Sequence, residues 1–219
     1  SLGNGGAIKA GARVATGDVI VFMDGDGQHR PEDIAALLRK LEEGYEMVVG
    51  ARDADGQASL PRRMANAFYN RFSSWMVGHR IMDLTSGFRA VRREKFLEFI
   101  HLLPNTFSYP TTCTMAFFRA GYPVGYVPVR VEKRIGKSHI RILRDGLRFL
   151  IIIFKIGTLF SPLKIFLPVA ACGCGWYAYT FVTISRFTNM SALLFTGSVM
   201  VFLLGLISEQ ITTLMYKGD

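Results

Sequence analysis

Five consecutive apolar residues, Val19-Ile20-Val21-Phe22-Met23, run directly into Asp24-Gly25-Asp26-Gly27-Gln28. So short a run, rich in β-branched side chains, predicts a strand covered on both faces, as in the parallel sheets of α/β proteins. Ligands of open α/β sheets bind beyond the carboxyl ends of the strands, which places Asp24 and Asp26 at a site. Spaced i and i+2, they are expected to point to the same side, roughly 6 to 7 Å apart from the strand rise. Gly25 and Gly27 keep side chains away between them, so a metal or a diphosphate could approach the backbone. Two carboxylates are hard-oxygen ligands suited to Mg2+ or Mn2+, which would in turn hold a phosphate-bearing substrate. A solvated Asp-Gly turn would carry the same residues. A calcium loop would not, because its twelfth position, counted from Asp24, is Ala35 where a bidentate Glu is needed.

The next segments extend an α/β pattern. Pro31, Glu32 and Asp33 suit a helix entrance, Ile34, Leu37, Leu38 and Leu41 keep helical spacing, and Gly44 is a natural stop. Met47-Val48-Val49 then predicts a second strand ending in Gly50-Ala51-Arg52, a strand-helix-strand unit that implies a partly parallel sheet. Arg52 is thereby expected beside Asp24 and Asp26. Arg62 and Arg63 open a further helix through Met64, Phe68, Phe72 and Trp75, with Asn66 and Asn70 on one face. Paired arginines at a helix start are either solvated or a forked phosphate clamp. Asp83-Leu84-Thr85-Ser86-Gly87-Phe88-Arg89 has the composition of a turn. Upstream, a helical pattern runs from Ala7 to Ala15. The sequence starts at Ser1 with no strand ahead of the one that bears the carboxylates, so a chain lacking its N-terminal part is expected.

The second half reads differently. No charged residue occurs between Lys164 and Arg186 or between Arg186 and Glu209, and about 20 apolar residues span a bilayer. Two transmembrane helices, near 165–185 and 190–212, are predicted, joined by a tight turn. Before them Lys137, Arg141, Arg144, Arg148 and Lys155 recur at helical steps opposite Ile140, Leu143, Leu147, Leu150, Ile151 and Phe154, the pattern of basic amphipathic helices in the headgroup layer. The net charge of +9 is concentrated there, which favours a lipid surface and argues against a nucleic-acid partner. By the positive-inside rule the α/β part and both ends are expected in the cytoplasm. Cys113, Cys172 and Cys174 have neither metal-ligand nor disulfide-framework spacing.

Taken together, Asn4-Gly5-Gly6, Ala15-Thr16-Gly17-Asp18, Asp24 to Gln28, Gly50-Ala51-Arg52, the Arg62-Arg63 helix and Ser86-Gly87-Phe88-Arg89 resemble the inverting family 2 glycosyltransferases of GT-A fold. The closest resemblance is to the polyprenyl-phosphate glycosyltransferases, which include dolichyl-phosphate mannose synthases. The similarity continues through Phe107 to Thr112, Gly121-Tyr122 and Val127-Pro128-Val129 to the loop Lys133 to Ser138.

The resemblance implies a Rossmann-like GT-A domain with a mostly parallel sheet over 1–132, truncated at its N-terminus. An active-site loop and interfacial helices over 133–163 and a transmembrane hairpin over 164–219 would follow. It implies transfer of a sugar, with inversion, from a nucleotide diphosphate sugar to undecaprenyl or dolichyl phosphate at the cytoplasmic face. Asp26, with Asp24, would hold Mg2+ or Mn2+; Gln28 would contact sugar or acceptor; Asp83 would orient an arginine or act as base. Arg52, Arg62, Arg63 and Asn66 would hold the acceptor phosphate, and Arg134, Lys137 and Ser138 the donor diphosphate. The hairpin would serve anchoring, lipid handling or homo-oligomerisation. Three alternatives remain: a processive polysaccharide synthase, whose Gln-X-X-Arg-Trp motif does not occur here; a transferase acting on another membrane lipid; and a catalytically silent membrane scaffold.

Overall fold

The computed structural model describes residues 3–52, 60–105, 109–131, 154–155, 157–184, 186 and 188–215. They fall into two compact units, Ser1–Arg141 and Ile142–Asp219.

The first unit is a four-stranded sheet with helices. In chain order it contains α1 (Gly3–Val14), β1 (Val19–Phe22), α2 (Asp33–Glu42), β2 (Met47–Arg52), α3 (Leu60–Val77), β3 (Arg89–Arg92), α4 (Arg93–Glu98), α5 (Tyr109–Arg119) and β4 (Val124–Val129). The strand order is β1-β3-β2-β4. Strands β2 and β4 pair in parallel, and β3 pairs antiparallel with both β1 and β2. Three of the four strands therefore run the same way, as the strand-helix-strand pattern implies. The neighbours differ from that simple unit: β3 is inserted between β1 and β2, so two of the three pairings are antiparallel. Register follows side-chain size, with Ala90 opposite both Val21 and Val48 at the centre of the sheet.

Both faces of β1 are covered, unequally. Phe22 points to one side, its ring 4.9 Å from Phe96 and 6.1 Å from Tyr109. Val19 and Val21 point to the other, against a core of Leu37, Leu41, Val48, Phe88, Ala90 and Val129. Leu37 and Leu41 come from the apolar face of α2, which ends at Gly44 with φ 98°, a conformation only glycine adopts without strain. The strand is shorter than the apolar run. It stops at Phe22, and Met23 is exposed.

The second unit contains α6 (Pro162–Ile184) and α7 (Asn189–Met215), both long and apolar enough to cross a membrane. Only 6% and 17% of their most apolar windows are buried within the structure, whereas the core helix of a soluble protein would be mostly buried. They pack closely where glycine allows. A Cβ at Gly173 would overlap the Ser198 hydroxyl, and one at Gly205 would sit 2.7 Å from Phe166 Cβ. The basic amphipathic stretch expected before this hairpin lies outside the described residues, apart from helical backbone at 154–155 and 157–160.

Candidate active site

The carboxyl ends of β1 and β2 and the segment leading into β3 meet at one place. Beyond Phe22 the chain leaves the sheet, and Gly25 and Asp26 form a turn. The side-by-side arrangement expected from strand pleating therefore does not apply, and the turn itself sets the carboxylates. Asp26 Oδ1 accepts the Gln28 N–H at 3.2 Å, an Asx-type closure. Gly27 has φ 74°, which favours glycine at that position.

Asp24 is exposed and lies against Gly87. A Cβ built there would stand 2.7 Å from Asp24 Oδ2 and 3.2 Å from Oδ1, so the absence of a side chain at Gly87 makes the seat for this carboxylate. The rest of the Ser86-Gly87-Phe88-Arg89 motif builds the floor. Ser86 Oγ donates to Gly50 O at 2.7 Å, tying the segment to β2. Phe88 fills the space over Gly50, where a Cβ would meet its ring at 2.6 Å. Arg89, at 0% exposure, turns inward. Its guanidinium donates to Pro110 O at 3.0 Å, to Thr114 Oγ1 at 3.2 Å and to Ser86 O, and lies over the Tyr109 ring. Tyr109 donates to Gly87 O at 3.2 Å, and burial pushes its phenol up to about 12, so it remains a donor. A buried cation whose Nη1 and Nη2 donate to carbonyl and hydroxyl oxygens thus braces the loop that carries Asp24's seat.

Arg52, at the end of β2, makes a two-pronged ion pair with Asp83, Nε to Oδ2 at 2.7 Å and Nη2 to Oδ1 at 2.8 Å. Nη2 also donates to Thr85 Oγ1 at 2.6 Å. Asp83 accepts the backbone N–H groups of Arg52, Thr85 and Ser86 as well, at 3.2, 3.2 and 3.1 Å. Burial opposes both charges, yet hydrogen bonding and mutual attraction win. They hold the Arg52 guanidinium above its ordinary value and the Asp83 carboxyl below its own, and Asp24 adds to the field on Arg52. The two N–H groups of Arg52 Nη1 have no partner among the described residues.

Sequence reasoning missed two contributors. His29 stacks on Phe88 with ring centroids 4.8 Å apart, and its Nδ1 is buried without a partner among the described residues. Burial lowers its pKa against the opposing fields of Asp24 and Asp26. Asn70 fastens α3 to the Asp83 loop, its Nδ2 donating to Met82 O at 2.7 Å and its Oδ1 accepting Leu84 N–H at 3.0 Å. Ser74 adds a bond from Ile81 N–H at 2.9 Å. The signal for Asn70 was its place one helical turn after Asn66; nothing in the spacing distinguished His29 from a helix-entrance residue.

The structure thus brings together Asp24, Asp26, Gln28, Arg52 and Asp83. Arg63 is exposed and Asn66 half-buried on α3, while the side chain of Arg62 lies outside the described ones. Arg134, Lys137 and Ser138 lie outside the described residues. No group of three or more His, Cys, Asp or Glu suited to a metal exists among the described residues. Two hard carboxylates in an open turn fit an ion that takes its remaining ligands from phosphate and water, the usual habit of Mg2+.

Comparison with known proteins agrees with this geometry. Residues 1–100 match the model of glycosyl transferase family 2, and residues 161–214 match the GtrB C-terminal hairpin. The chain thus carries a glycosyl transferase family 2 segment over residues 1–100, followed by a GtrB-type hairpin. Among its relatives, glycosyltransferase AglJ of Haloferax volcanii is 28% identical over 89% of this chain and 69% of its own. The dolichyl-phosphate hexose transferase of the same organism is 30% identical over 66% of this chain and 63% of its own. The undecaprenyl-phosphate 4-deoxy-4-formamido-L-arabinose transferase of Photorhabdus laumondii is 37% identical over 51% and 37%. The chain therefore spans less than two thirds of most of these relatives. In fold, the chain resembles glucosyl-3-phosphoglycerate synthase from Mycobacterium tuberculosis, solved with Mn2+, UDP-glucose and phosphoglyceric acid. The TM-score is 0.54 at 18% identity, covering 70% of this chain and 53% of that one.

Proposed function

We propose that this protein transfers a sugar, with inversion, from a nucleotide diphosphate sugar to a polyprenyl phosphate in the membrane. The carrying observation is the pairing of two opposite features at one sheet end: an acidic turn seated on Gly87, and Arg52 held by a two-pronged ion pair with Asp83. A donor diphosphate needs the first and an acceptor phosphate the second. The transferases for dolichyl and undecaprenyl phosphate among the relatives support the same acceptor class.

Asp26 and Asp24 would hold Mg2+ or Mn2+, their hard oxygens and the open space at Gly25 and Gly27 fitting such an ion. When bound, the ion offsets the charge that develops on the departing diphosphate. Arg52, with Arg62, Arg63 and Asn66 of α3, orients the acceptor phosphate; Gln28 contacts sugar or acceptor. A phosphate monoester is largely dianionic near neutral pH, its second pKa being about 6, so attack does not wait on a strong base. Asp83, held as a carboxylate by Arg52, therefore orients the arginine and does not take a proton. Arg134, Lys137 and Ser138 would bind the donor diphosphate, their cationic and hydroxyl groups suiting its charge. Catalysis then rests on positioning and on stabilising the leaving group. The hairpin lodges in the membrane, with the α/β unit and both ends on the cytoplasmic side, following the distribution of Lys and Arg.

The test is the full-length protein in lipid nanodiscs with Mg2+ or Mn2+, a panel of nucleotide sugars, and polyprenyl phosphate present or absent. Chelator-sensitive glycolipid that forms only with the phosphorylated acceptor is expected. Glycosylation of a non-phosphorylated lipid instead would overturn the acceptor assignment. Absence of any donor binding by folded protein would overturn the enzyme.

A further inference from the structure

The turn that carries Asp24 and Asp26 has little within it to hold a shape. A Cβ at Gly25 or Gly27 would meet nothing within 4 Å, and glycine has the most backbone freedom to lose. Two carboxylates on such a turn would take many separations, and an ion would have to order them on arrival. Fixing both ends of the turn removes that problem.

Both ends are fixed, and on consecutive residues of one segment. Asp24 rests on Gly87, and the His29 ring rests on Phe88, with centroids 4.8 Å apart and planes 23° from parallel. Phe88 is anchored in the core with Leu37, Leu41, Val48, Ala90 and Val129, at 0% exposure. The segment beneath both contacts is tied down in turn, by Ser86 Oγ to Gly50 O at 2.7 Å and by the Tyr109 hydroxyl to Gly87 O at 3.2 Å. His29 makes its contact through the face of the ring. Its Nδ1 is buried and has no hydrogen-bond partner among the described residues, so hydrogen bonding at that nitrogen is not what holds it. Burial lowers the pKa of the ring below its ordinary 6.5, so near neutral pH it is an uncharged plate. It therefore adds no positive charge at the end of a turn that is to take up a cation.

We propose that His29 is a positioning residue of the site. Its stack on Phe88, together with the seat of Asp24 on Gly87, clamps the acidic turn at both ends and sets the separation of the Asp24 and Asp26 carboxylates before an ion arrives. The positioning role rests on the metal reading above, whereas the clamp is a property of the chain and is measurable without metal. Between the two fixed ends, Asp26 Oδ1 accepts the Gln28 N–H at 3.2 Å, which makes that amide a reporter of the turn.

Hydrogen exchange of the full-length protein in nanodiscs reads the clamp, and Mn2+ titration followed by electron paramagnetic resonance reads its consequence. In His29→Ala without metal, the amides of residues 24–28, that of Gln28 above all, should exchange about tenfold faster, with the rest of the α/β unit and the thermal melt nearly unchanged. The Mn2+ dissociation constant should rise about tenfold, the lower end of what losing a group that orients metal ligands costs. His29→Phe, which keeps a flat uncharged ring, should recover both. His29→Gln, which keeps a polar group and loses the ring, should behave as His29→Ala does. Wild-type exchange in His29→Ala overturns the clamp, as does recovery by Gln in place of Phe. Faster exchange spread over the whole unit also overturns it, because His29 would then serve the fold and not the turn. Faster exchange of the turn with unchanged Mn2+ affinity overturns the positioning role. Asp26→Asn separates these failures from that of the metal reading. Mn2+ binding lost in Asp26→Asn but kept in His29→Ala rejects His29 alone, whereas binding unchanged in Asp26→Asn, or absent from the wild type, rejects the metal reading itself.

Discussion

Polar side chains do opposite things in the two units. In the α/β unit they reach far along the sequence: Arg52 to Asp83, Ser86 to Gly50, Arg89 to Pro110 and Thr114. In the hairpin they turn back on their own helix. Thr183 donates to Tyr179 O, Ser198 to Leu194 O, Thr212 to Ser208 O and Thr213 to Glu209 O, each at 2.7 to 2.9 Å. Among the described residues of the hairpin, Glu209 breaks the habit, its Oε2 accepting the Leu163 N–H of the first turn of α6 at 3.3 Å. Removing a polar partner should therefore be costly in the first unit and cheap in the second.

The most damaging substitution should be Asp83→Ala. It leaves the Arg52 charge buried and three backbone N–H groups without their acceptor, a change that costs about 3 kcal/mol or more. Denaturation of the α/β unit would measure it. The pH dependence has a defined sign. Asp83 has a folded-state pKa below its ordinary 3.8, so its contribution is complete above the ordinary value and is lost as pH falls through the lower folded one. Wild type and variant should therefore converge in strong acid. Equal stability at neutral pH would break the comparison.

Asp26→Asn separates function from fold. Asp26 is half-buried in a turn, so the melt should hardly move, while sugar transfer in nanodiscs should fall about 100-fold or more, on the scale of losing one transition-state-stabilising group. An unchanged rate would remove the metal from this turn. Gly87→Ala should act through position alone. The added Cβ meets the end of a flexible, exposed Asp24 side chain, which can move away at little cost to stability. The displaced carboxylate should slow transfer about tenfold, within the penalty known for small misplacements near a reacting centre. A wild-type rate would show that Asp24 does not need its seat.

Much of this was legible in the sequence because it is local. The spacing of Leu37 and Leu41 gave α2, the uncharged runs gave the hairpin, and the change from Phe22 to Asp24 marked the site. What was illegible depends on partners distant in sequence. The insertion of β3 between β1 and β2 follows from pairing Ala90 with both Val21 and Val48, which no local pattern encodes. Periodicity grouped Met64, Phe68, Phe72 and Trp75 on one side of α3 but could not say that Tyr69 and Met76 would take the inner one. Arg89 reads as a surface charge until Pro110, Thr114 and Tyr109 are folded around it, and His29 as a helix entrance until Phe88 lies beneath it.

The smallest effect should come from Thr213→Val in α7. Its hydroxyl bonds to Glu209 O one turn back, so the substitution removes a bond that neither joins the helices nor fixes a loop. The replacement keeps the β-branched shape, and the Glu209 carbonyl retains its helical hydrogen bond. Polar contacts in membrane helices average about 0.6 kcal/mol even across helices, so a bond within one helix should be worth no more. Hairpin unfolding in mixed micelles would read it against Glu209→Ala, which removes the link to Leu163 and exposes the first turn of α6 to a larger loss. If Thr213→Val proved the more harmful of the two, polar groups in the hairpin would be structural to the same degree as those around Asp83, and the contrast between the two units would fail.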